Sequence, residues 1–419
     1  MIILAVDMLV ILLGMTLFLV VMLALVSLLL YIKKKLTPSG DIKLTINDET
    51  ALLAEPGSTL LSTLGNNKIF LPSACGGGGT CGLCKCQVVE GGGTILATEI
   101  GFFTRKQVHD HWRLGCQVKL REDLKIKVPE EIMGIKKWEC EVVSNSNVAS
   151  FIKEFVVKLP EGETLNFKSG SYIQIDVPTI DVDFKDMDVE DRFKPEWDMF
   201  KLRGLHMSNP EPTYRAYSMA NHPAEGNIIK LNIRIATPPF DKVKGDWAAV
   251  NPGICSSYLF SRKPGDKVFI SGPFGDFHLL DTKREMLFIG GGAGMAPLRS
   301  HLLHLFHTLK TTDRIISYWY GARSKNELFY EEDFRAIERE FPNFTFNIAL
   351  SEPRPEDNWT GYVGFIHQVI YDNYLVTCED PEDIEYYMCG PGPMANAVKT
   401  MLDKLGVPKE MLMFDDFGS

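Results

Sequence analysis

The densest chemistry in the chain lies in Cys75-Gly76-Gly77-Gly78-Gly79-Thr80-Cys81-Gly82-Leu83-Cys84, with a fourth cysteine, Cys116, far downstream. Three thiols on one glycine-dense loop and one remote thiol fit the ligand set of a 2Fe–2S cluster. A cluster needs thiolates wrapped closely around it and backbone N–H groups turned toward its sulfurs. Both demand left-handed backbone and no intruding side chains, which glycine supplies. Two other chemistries compete for these residues. A structural zinc site brings paired C-x2–4-C knuckles, and Cys116 has no close cysteine or histidine partner, His109 and His111 being several residues away. A disulfide framework suits short chains with an even cysteine count, whereas this chain has nine cysteines in 419 residues. Cys86 follows on an expected strand and reads as packing, not as a ligand.

A second motif is built for anions. Glu285–Ile289 is a short apolar strand, Gly290-Gly291-Gly292-Ala293-Gly294-Met295-Ala296-Pro297 a glycine turn, and a helical stretch follows from Leu298. Strand, glycine turn and helix N-terminus together make a site for a pyrophosphate. The spacing is not G-x-G-x-x-G, so a Rossmann dehydrogenase is not implied. Further strands at Ile315–Tyr320 and Phe344–Leu350 alternate with helical stretches, which predicts a parallel α/β sheet with its ligand at the strand C-terminal ends.

The remaining elements position these motifs. Leu9–Ile32 carries no charge and Lys33-Lys34-Lys35 follows directly. As a helix, this run is about 36 Å long, enough to span a hydrocarbon core of about 30 Å. It is too long for a signal-peptide core and has its lysines on the wrong side for one. It is apolar on all faces, unlike a core helix. We read a membrane anchor whose basic flank keeps the rest of the chain cytoplasmic. Strands at Asp41–Ile46 and Thr50–Ala54 form a hairpin. A short helix capped by Ser58 runs through Leu64. The cluster loop, strand Lys85–Glu90, the Cys116 segment and Leu124–Val128 complete a domain. From Lys136 the chain is rich in short strands, Trp138–Val143, Ile152–Leu159 and Tyr172–Val177, which suggests an antiparallel barrel. The acidic stretch 181–198, with Phe184, Phe193 and Trp197, interrupts the barrel pattern and is expected to be a solvated loop. The fold class is therefore multidomain: residues 1–36 an anchor and basic flank, 37–130 the cluster domain, 131–280 the barrel, and 281–419 the α/β domain.

Composition sets outer limits. A chain of 419 residues has room for about three domains. A net charge of −10 argues against nucleic acid as a partner. The five scattered cysteines, 86, 140, 255, 378 and 389, suit a reducing compartment.

The cluster domain resembles β-grasp ferredoxins, those of the adrenodoxin kind sharing its five-residue first cysteine gap. Arg215-Ala216-Tyr217-Ser218 resembles the R-x-Y-S motif of the ferredoxin–NADP reductase family. By that resemblance Arg215 pairs with the FAD pyrophosphate, Tyr217 lies on the isoalloxazine, and Ser218 reaches flavin N5. Asn232-Ile233-Arg234-Ile235-Ala236-Thr237 and Gly253-Ile254-Cys255-Ser256-Ser257 follow at matching positions. Asn232, Arg234, Gly253, Cys255, Ser256 and Ser257 are thereby implicated in FAD binding. The N–H groups and hydroxyls of the latter turn sit at a helix start able to hold phosphate. Ser271-Gly272-Pro273-Phe274-Gly275 closes the barrel in the same family. The Gly290–Pro297 turn is similar to the G-G-G-x-G-x-x-P turn of those reductases, so Gly290, Gly291, Gly292, Ala293 and Gly294 are expected to bind NADH. In Tyr386-Tyr387-Met388-Cys389-Gly390-Pro391 the resemblance puts Cys389 beside the nicotinamide C4, with Gly390 and Pro391. It also makes Phe417 the aromatic that covers the flavin. Arg323 either binds an NADP 2′-phosphate or is solvated.

With Trp319–Ser324, Asn358–Gly361 and the terminal Asp-Asp-Phe-Gly, the whole chain resembles the F subunits of Na⁺-translocating NADH:quinone oxidoreductases of bacterial inner membranes. The resemblance implies hydride transfer from NADH to FAD, single electrons to a 2Fe–2S cluster, and partner subunits of a membrane complex that reduces quinone and moves Na⁺. NADH is then the preferred donor. Gly392 departs from the proline expected there. The rival readings are a tethered reductase component of a multicomponent oxygenase and a non-catalytic electron-transfer subunit.

Overall fold

The computed structural model describes residues 2–36, 40–241, 243 and 245–415. Residues 37–39, which open the expected cluster domain, and Phe417 lie outside them. Ile2–Leu36 is one helix. Its Leu12–Ile32 stretch, of mean hydropathy 2.8, is long and apolar enough to cross a membrane, and none of it is buried among the described residues. One such helix fits a single-pass anchor.

By packing, the chain divides into two compact units, Met1–Leu71 with Gly82–Gly134, and Pro72–Cys81 with Ile135–Ser419. The first holds a mixed five-stranded sheet in the order Thr50–Ala54, Ile42–Ile46, Leu124–Lys127, Lys85–Glu90, Trp112–Leu114. Ile42–Ile46 is antiparallel to its hairpin mate and parallel to Leu124–Lys127. Leu60, Leu61 and Leu64 bury one face of helix Leu60–Asn66. The helix cap is Thr59 instead of the expected Ser58. Thr59 Oγ1 accepts the Ser62 N–H at 3.2 Å, while the Ser58 hydroxyl meets that of Thr63. Sheet and helix form the expected β-grasp.

The second unit begins with a six-stranded antiparallel sheet, ordered Thr213–Ser218, Tyr172–Val177, Lys267–Phe274, Lys136–Ala149, Ile152–Lys158, Ile228–Arg234. Its two edges meet where Met219 bridges Leu231 and Ala220 N–H donates to Lys230 O at 2.7 Å, so the sheet closes as a barrel. Closure thus falls at Met219 and Ala220. The Lys267–Phe274 strand, expected to close the barrel, is interior to the sheet. The stretch 181–198 also departs from expectation. It is no solvated loop: Phe184, Phe193 and Trp197 are fully buried in the barrel core, and the Trp197 indole donates to Ser150 O at 2.7 Å. The aromatic residues set its fate, because three large rings in one short segment gain more from burial than its exposed carboxylates oppose.

The last sheet has six parallel strands in the order Tyr362–Val363, Phe344–Leu350, Ile316–Ala322, Met286–Gly291, Glu385–Cys389, Leu412–Asp415. Alternate residues of Met286–Gly291 bury opposite faces, Met286 and Phe288 in one core and Leu287 and Ile289 in the other. That is the pattern of a parallel sheet covered on both sides. The chain starts at Met286–Gly291, builds outward on one side, then returns to add Glu385–Cys389 on the other. The switch point therefore lies between these two strands.

Candidate active site and electron-transfer centre

Open parallel sheets bind ligands beyond the strand C-termini at the switch point. Here the glycine turn follows one of the two switch-point strands and Cys389-Gly390-Pro391 follows the other. Gly290 pairs with Cys389 in register. The approach of the two strand ends is tight. A Cβ on Gly294 would stand 2.1 Å from Cys389 O and 2.6 Å from Gly390 N. Helix Met295–Leu303 begins directly after this turn, three residues earlier than its sequence suggests, so its N-terminus faces the crevice. Glycine turn and helix dipole together offer the N–H groups and partial positive charge a pyrophosphate requires.

The outermost strand brings in a residue whose role the sequence alone did not reveal. Asp415 pairs in register with Cys389, and the Ser218 hydroxyl donates to its carboxylate at 2.5 Å. Ser218 from the barrel and the Cys389 strand from the nucleotide sheet are thus joined through Asp415. The only signal in the sequence was an acidic residue at the end of the apolar run Leu412-Met413-Phe414.

On the barrel, Arg215 Nη1 bonds to Thr213 Oγ1 at 3.0 Å and Tyr214 O at 2.7 Å. It has no carboxylate partner among the described residues, which leaves its charge available to an anion. Tyr217 packs against the barrel core. Burial, with Cys255 beside it, pushes its phenol well above the usual range. Cys255 is buried in the first turn of helix Ile254–Ser261, and burial raises its thiol to about 12. It is therefore a neutral packing group against Tyr217. The Ser256 and Ser257 hydroxyls both donate to Gly253 O, at 3.0 and 2.8 Å. What this turn offers a phosphate is chiefly its backbone N–H groups. Asn232 Nδ2 donates to the Tyr330 hydroxyl at 2.9 Å, while its Oδ1 is buried without a partner. Arg234 is exposed beside it. Arg323 lies 3.9 Å from Glu327. A guanidinium with no carboxylate partner among the described residues, an amide oxygen without a partner and a helix start with backbone N–H groups fit FAD.

In the cluster loop, Gly76, Gly77, Gly79 and Gly82 all have positive φ, the left-handed backbone that the motif demanded. The Cys75 and Cys81 sulfurs lie 3.3 Å apart. Although burial acts against it, backbone N–H groups of Thr80 and Cys81 lower the Cys75 thiol to about 6. This loop favours thiolate, the form that binds iron. In the other unit, Lys85 pairs with Leu114 and Gly115 N–H donates to Cys84 O at 2.7 Å, bringing the Cys84 and Cys116 segments together. Both cysteines are buried. Among the described residues no three His, Cys, Asp or Glu side chains are grouped closely enough to hold one metal ion. Each unit thus offers two thiols of the kind a 2Fe–2S cluster takes, Cys75 and Cys81 in one and Cys84 and Cys116 in the other, with amide support at Cys75. Cys86 is buried in its strand and burial raises it to about 12, consistent with packing.

Family descriptions divide the chain in the same order. A 2Fe-2S iron-sulfur cluster binding domain matches residues 44–121, an oxidoreductase FAD-binding domain 202–279 and an oxidoreductase NAD-binding domain 288–400. Among solved structures, an Amycolatopsis cytochrome P450 reductase, GcoB, superposes with a TM-score of 0.60 at 22% identity, covering 90% of this chain and 98% of that one. The ferredoxin reductase in carbazole 1,9a-dioxygenase gives 0.57 at 25% identity, with the same coverage. Flavin barrel, nucleotide sheet and iron-sulfur domain define a ferredoxin-reductase-type oxidoreductase using NAD, FAD and a 2Fe–2S cluster.

Relatives in sequence narrow this class. The chain is 52% identical over 97% of its length to the F subunit of the Na(+)-translocating NADH-quinone reductase of Klebsiella pneumoniae, covering 99% of it. It is 51% identical over 97% to that of Neisseria gonorrhoeae, again covering 99%, and 50% over 97% to that of Idiomarina loihiensis, covering 98%. The chain belongs to the family of F subunits of Na⁺-translocating NADH-quinone reductases.

Proposed function

We propose that this chain is the electron entry of a sodium-moving membrane complex, built as an anchor (1–36), a cluster domain (37–130), a flavin barrel (131–280) and a nicotinamide domain (281–419). NADH gives up two electrons as hydride, a bound flavin accepts both, and the 2Fe–2S cluster carries them away singly. The protein's part is positioning. The Gly290–Gly294 turn, including Ala293, holds the NADH pyrophosphate, and Cys389, Gly390 and Pro391 seat the nicotinamide. Arg215 and the Gly253–Ser257 turn hold the FAD phosphates, with Asn232 and Arg234 beside them. Tyr217 and Ser218 present the ring for hydride, and Asp415 fixes the Ser218 hydroxyl. Phe417 as the covering aromatic remains an expectation. Cys75, Cys81, Cys84 and Cys116 hold the cluster.

The observation that carries this reading is the switch-point crevice, where the glycine turn, Cys389 and the Asp415–Ser218 pair converge. The anchor and its basic flank support an inner-membrane location with the redox domains in the cytoplasm. Electrons then pass to partner subunits that reduce quinone and export Na⁺. The test uses inverted membrane vesicles containing the complex. Cys81→Ala in this chain should abolish NADH-driven quinone reduction and Na⁺ uptake while leaving NADH oxidation by ferricyanide. Undiminished Na⁺ uptake with that variant would reject the proposal.

A further inference from the structure

Cys75 receives backbone N–H groups from its own loop, those of Thr80 and Cys81. In the other unit, three backbone donors hold the turn that carries Cys116. Gly115 N–H goes to Cys84 O at 2.7 Å, Gln117 N–H to Leu114 O at 2.8 Å, and Val118 N–H to Leu114 O at 3.2 Å. These bonds, with Leu61 N–H on Gly115 O at 2.9 Å, fix the turn that carries Cys116 and Gln117. From that fixed turn the Gln117 side-chain amide donates Nε2–H to Cys116 Sγ at 3.7 Å, within the long range usual for sulfur acceptors. A thiolate only accepts, so the amide must present its NH₂ end to it. Cys116 is buried, the residue being 6% exposed.

We propose that Gln117 is a positioning residue for electron transfer: its amide N–H, directed at the Cys116 sulfur, raises the reduction potential of the cluster and so draws electrons off the flavin. The inference rests on the reading of Cys116 as a cluster ligand. The physical reason is charge. One added electron makes the cluster and its thiolates more negative, and hydrogen bonds to ligand sulfur stabilise that state more than the oxidised one. A side-chain donor differs from a backbone donor in that one substitution removes it without altering the loop.

The experiment is a redox titration of the intact chain, with the cluster monitored by electron paramagnetic resonance. Gln117→Met keeps the length of the side chain and removes the donor. Gln117→Glu keeps its shape and replaces donor with acceptor. Both should lower the midpoint, the first by the equivalent of about a tenfold change in the reduction equilibrium, roughly 59 mV for one electron, at unchanged cluster content and visible circular dichroism. A midpoint shift smaller than the equivalent of about a twofold change in the reduction equilibrium, with the cluster intact, would overturn the inference. Should either variant lose its cluster, the unaltered chain decides: ¹⁵N in glutamine side chains must show a hyperfine coupling to the reduced cluster that Gln117→Asn weakens, and absence of that coupling overturns the inference. Cys116→Ser separates the two levels. An unchanged cluster spectrum in that variant would reject the ligand assignment itself.

Discussion

Gly294→Ala isolates the geometry on which hydride transfer depends. Gly294 has φ −61°, which any residue adopts, so the backbone does not demand glycine. The demand is spatial: an added Cβ would stand 2.1 Å from Cys389 O and 2.3 Å from Cys389 C, and those atoms are backbone. To make room, the glycine turn must part from the Cys389 strand end by more than about 1 Å to restore ordinary contact. Overpacking of this kind costs about 1–3 kcal/mol, and a shift of about 1 Å between reacting groups costs about 100-fold in rate. Gly292 supplies the control. Its φ is +55°, yet a Cβ there would meet nothing nearer than Ile152 Cδ1 at 3.9 Å. Gly292→Ala therefore pays only the left-handed backbone, about 1–2 kcal/mol. Stopped-flow reduction of the flavin by NADH reads both. Gly294→Ala should slow the hydride step about 100-fold, and Gly292→Ala by less than about tenfold. Equal effects, or a Gly294→Ala rate within threefold of the unaltered chain, would refute the assignment of the crevice.

Three further outcomes follow from particular contacts. Asp415→Asn replaces the charged acceptor of the Ser218 hydroxyl bond and should lower the flavin-reduction rate about 10- to 100-fold at little change in NADH affinity, measured in the same instrument. Glu99 is fully buried and accepts from Arg113 at 2.8 Å, from Leu114 N–H at 2.9 Å and from Leu96 N–H at 3.0 Å. Glu99→Ala should destabilise the cluster domain by about 3–5 kcal/mol, visible as cluster bleaching at lower urea. His301 is fully buried, and burial, aided by His278, holds it down at about 3, whereas its ordinary value is 6.5. Below pH 6.5 the unfolded chain takes up the proton and the folded chain does not. The contribution of His301 is thus fully present above pH 6.5 and is lost as the pH falls toward 3, by about 1.4 kcal/mol per unit. Urea midpoints between pH 5 and 6.5 should show this slope, and His301→Phe should flatten it.

The parts legible in sequence were those fixed by local rules. Strands Lys85–Glu90, Tyr172–Val177 and Phe344–Leu350 stand at their expected limits, because apolar runs between turn residues leave few alternatives. The glycine turn was legible as the link between a strand end and a helix start, which is where it stands, at the switch point of the sheet. Non-local packing was not legible. Asp415 is an ordinary acidic residue near the terminus until the sheet order sets it beside Cys389. The 181–198 stretch reads as solvated by its charges, and only the position of Phe260 within 6.1 Å of Trp197 shows what its rings were for. The Ser256 and Ser257 hydroxyls suggest phosphate ligands by type, yet the helix turn itself takes their protons, a competition that Ser and Thr side chains generally enter.

The most direct test of electron entry through this chain is an anaerobic NADH titration of the cofactor-loaded protein, followed by optical and electron paramagnetic resonance spectroscopy. The predicted result is flavin bleaching together with a reduced 2Fe–2S signal, and with Cys81→Ala the loss of the second alone. If NADH bleached no flavin in fully loaded protein, hydride would not enter through this chain and the central claim would be wrong.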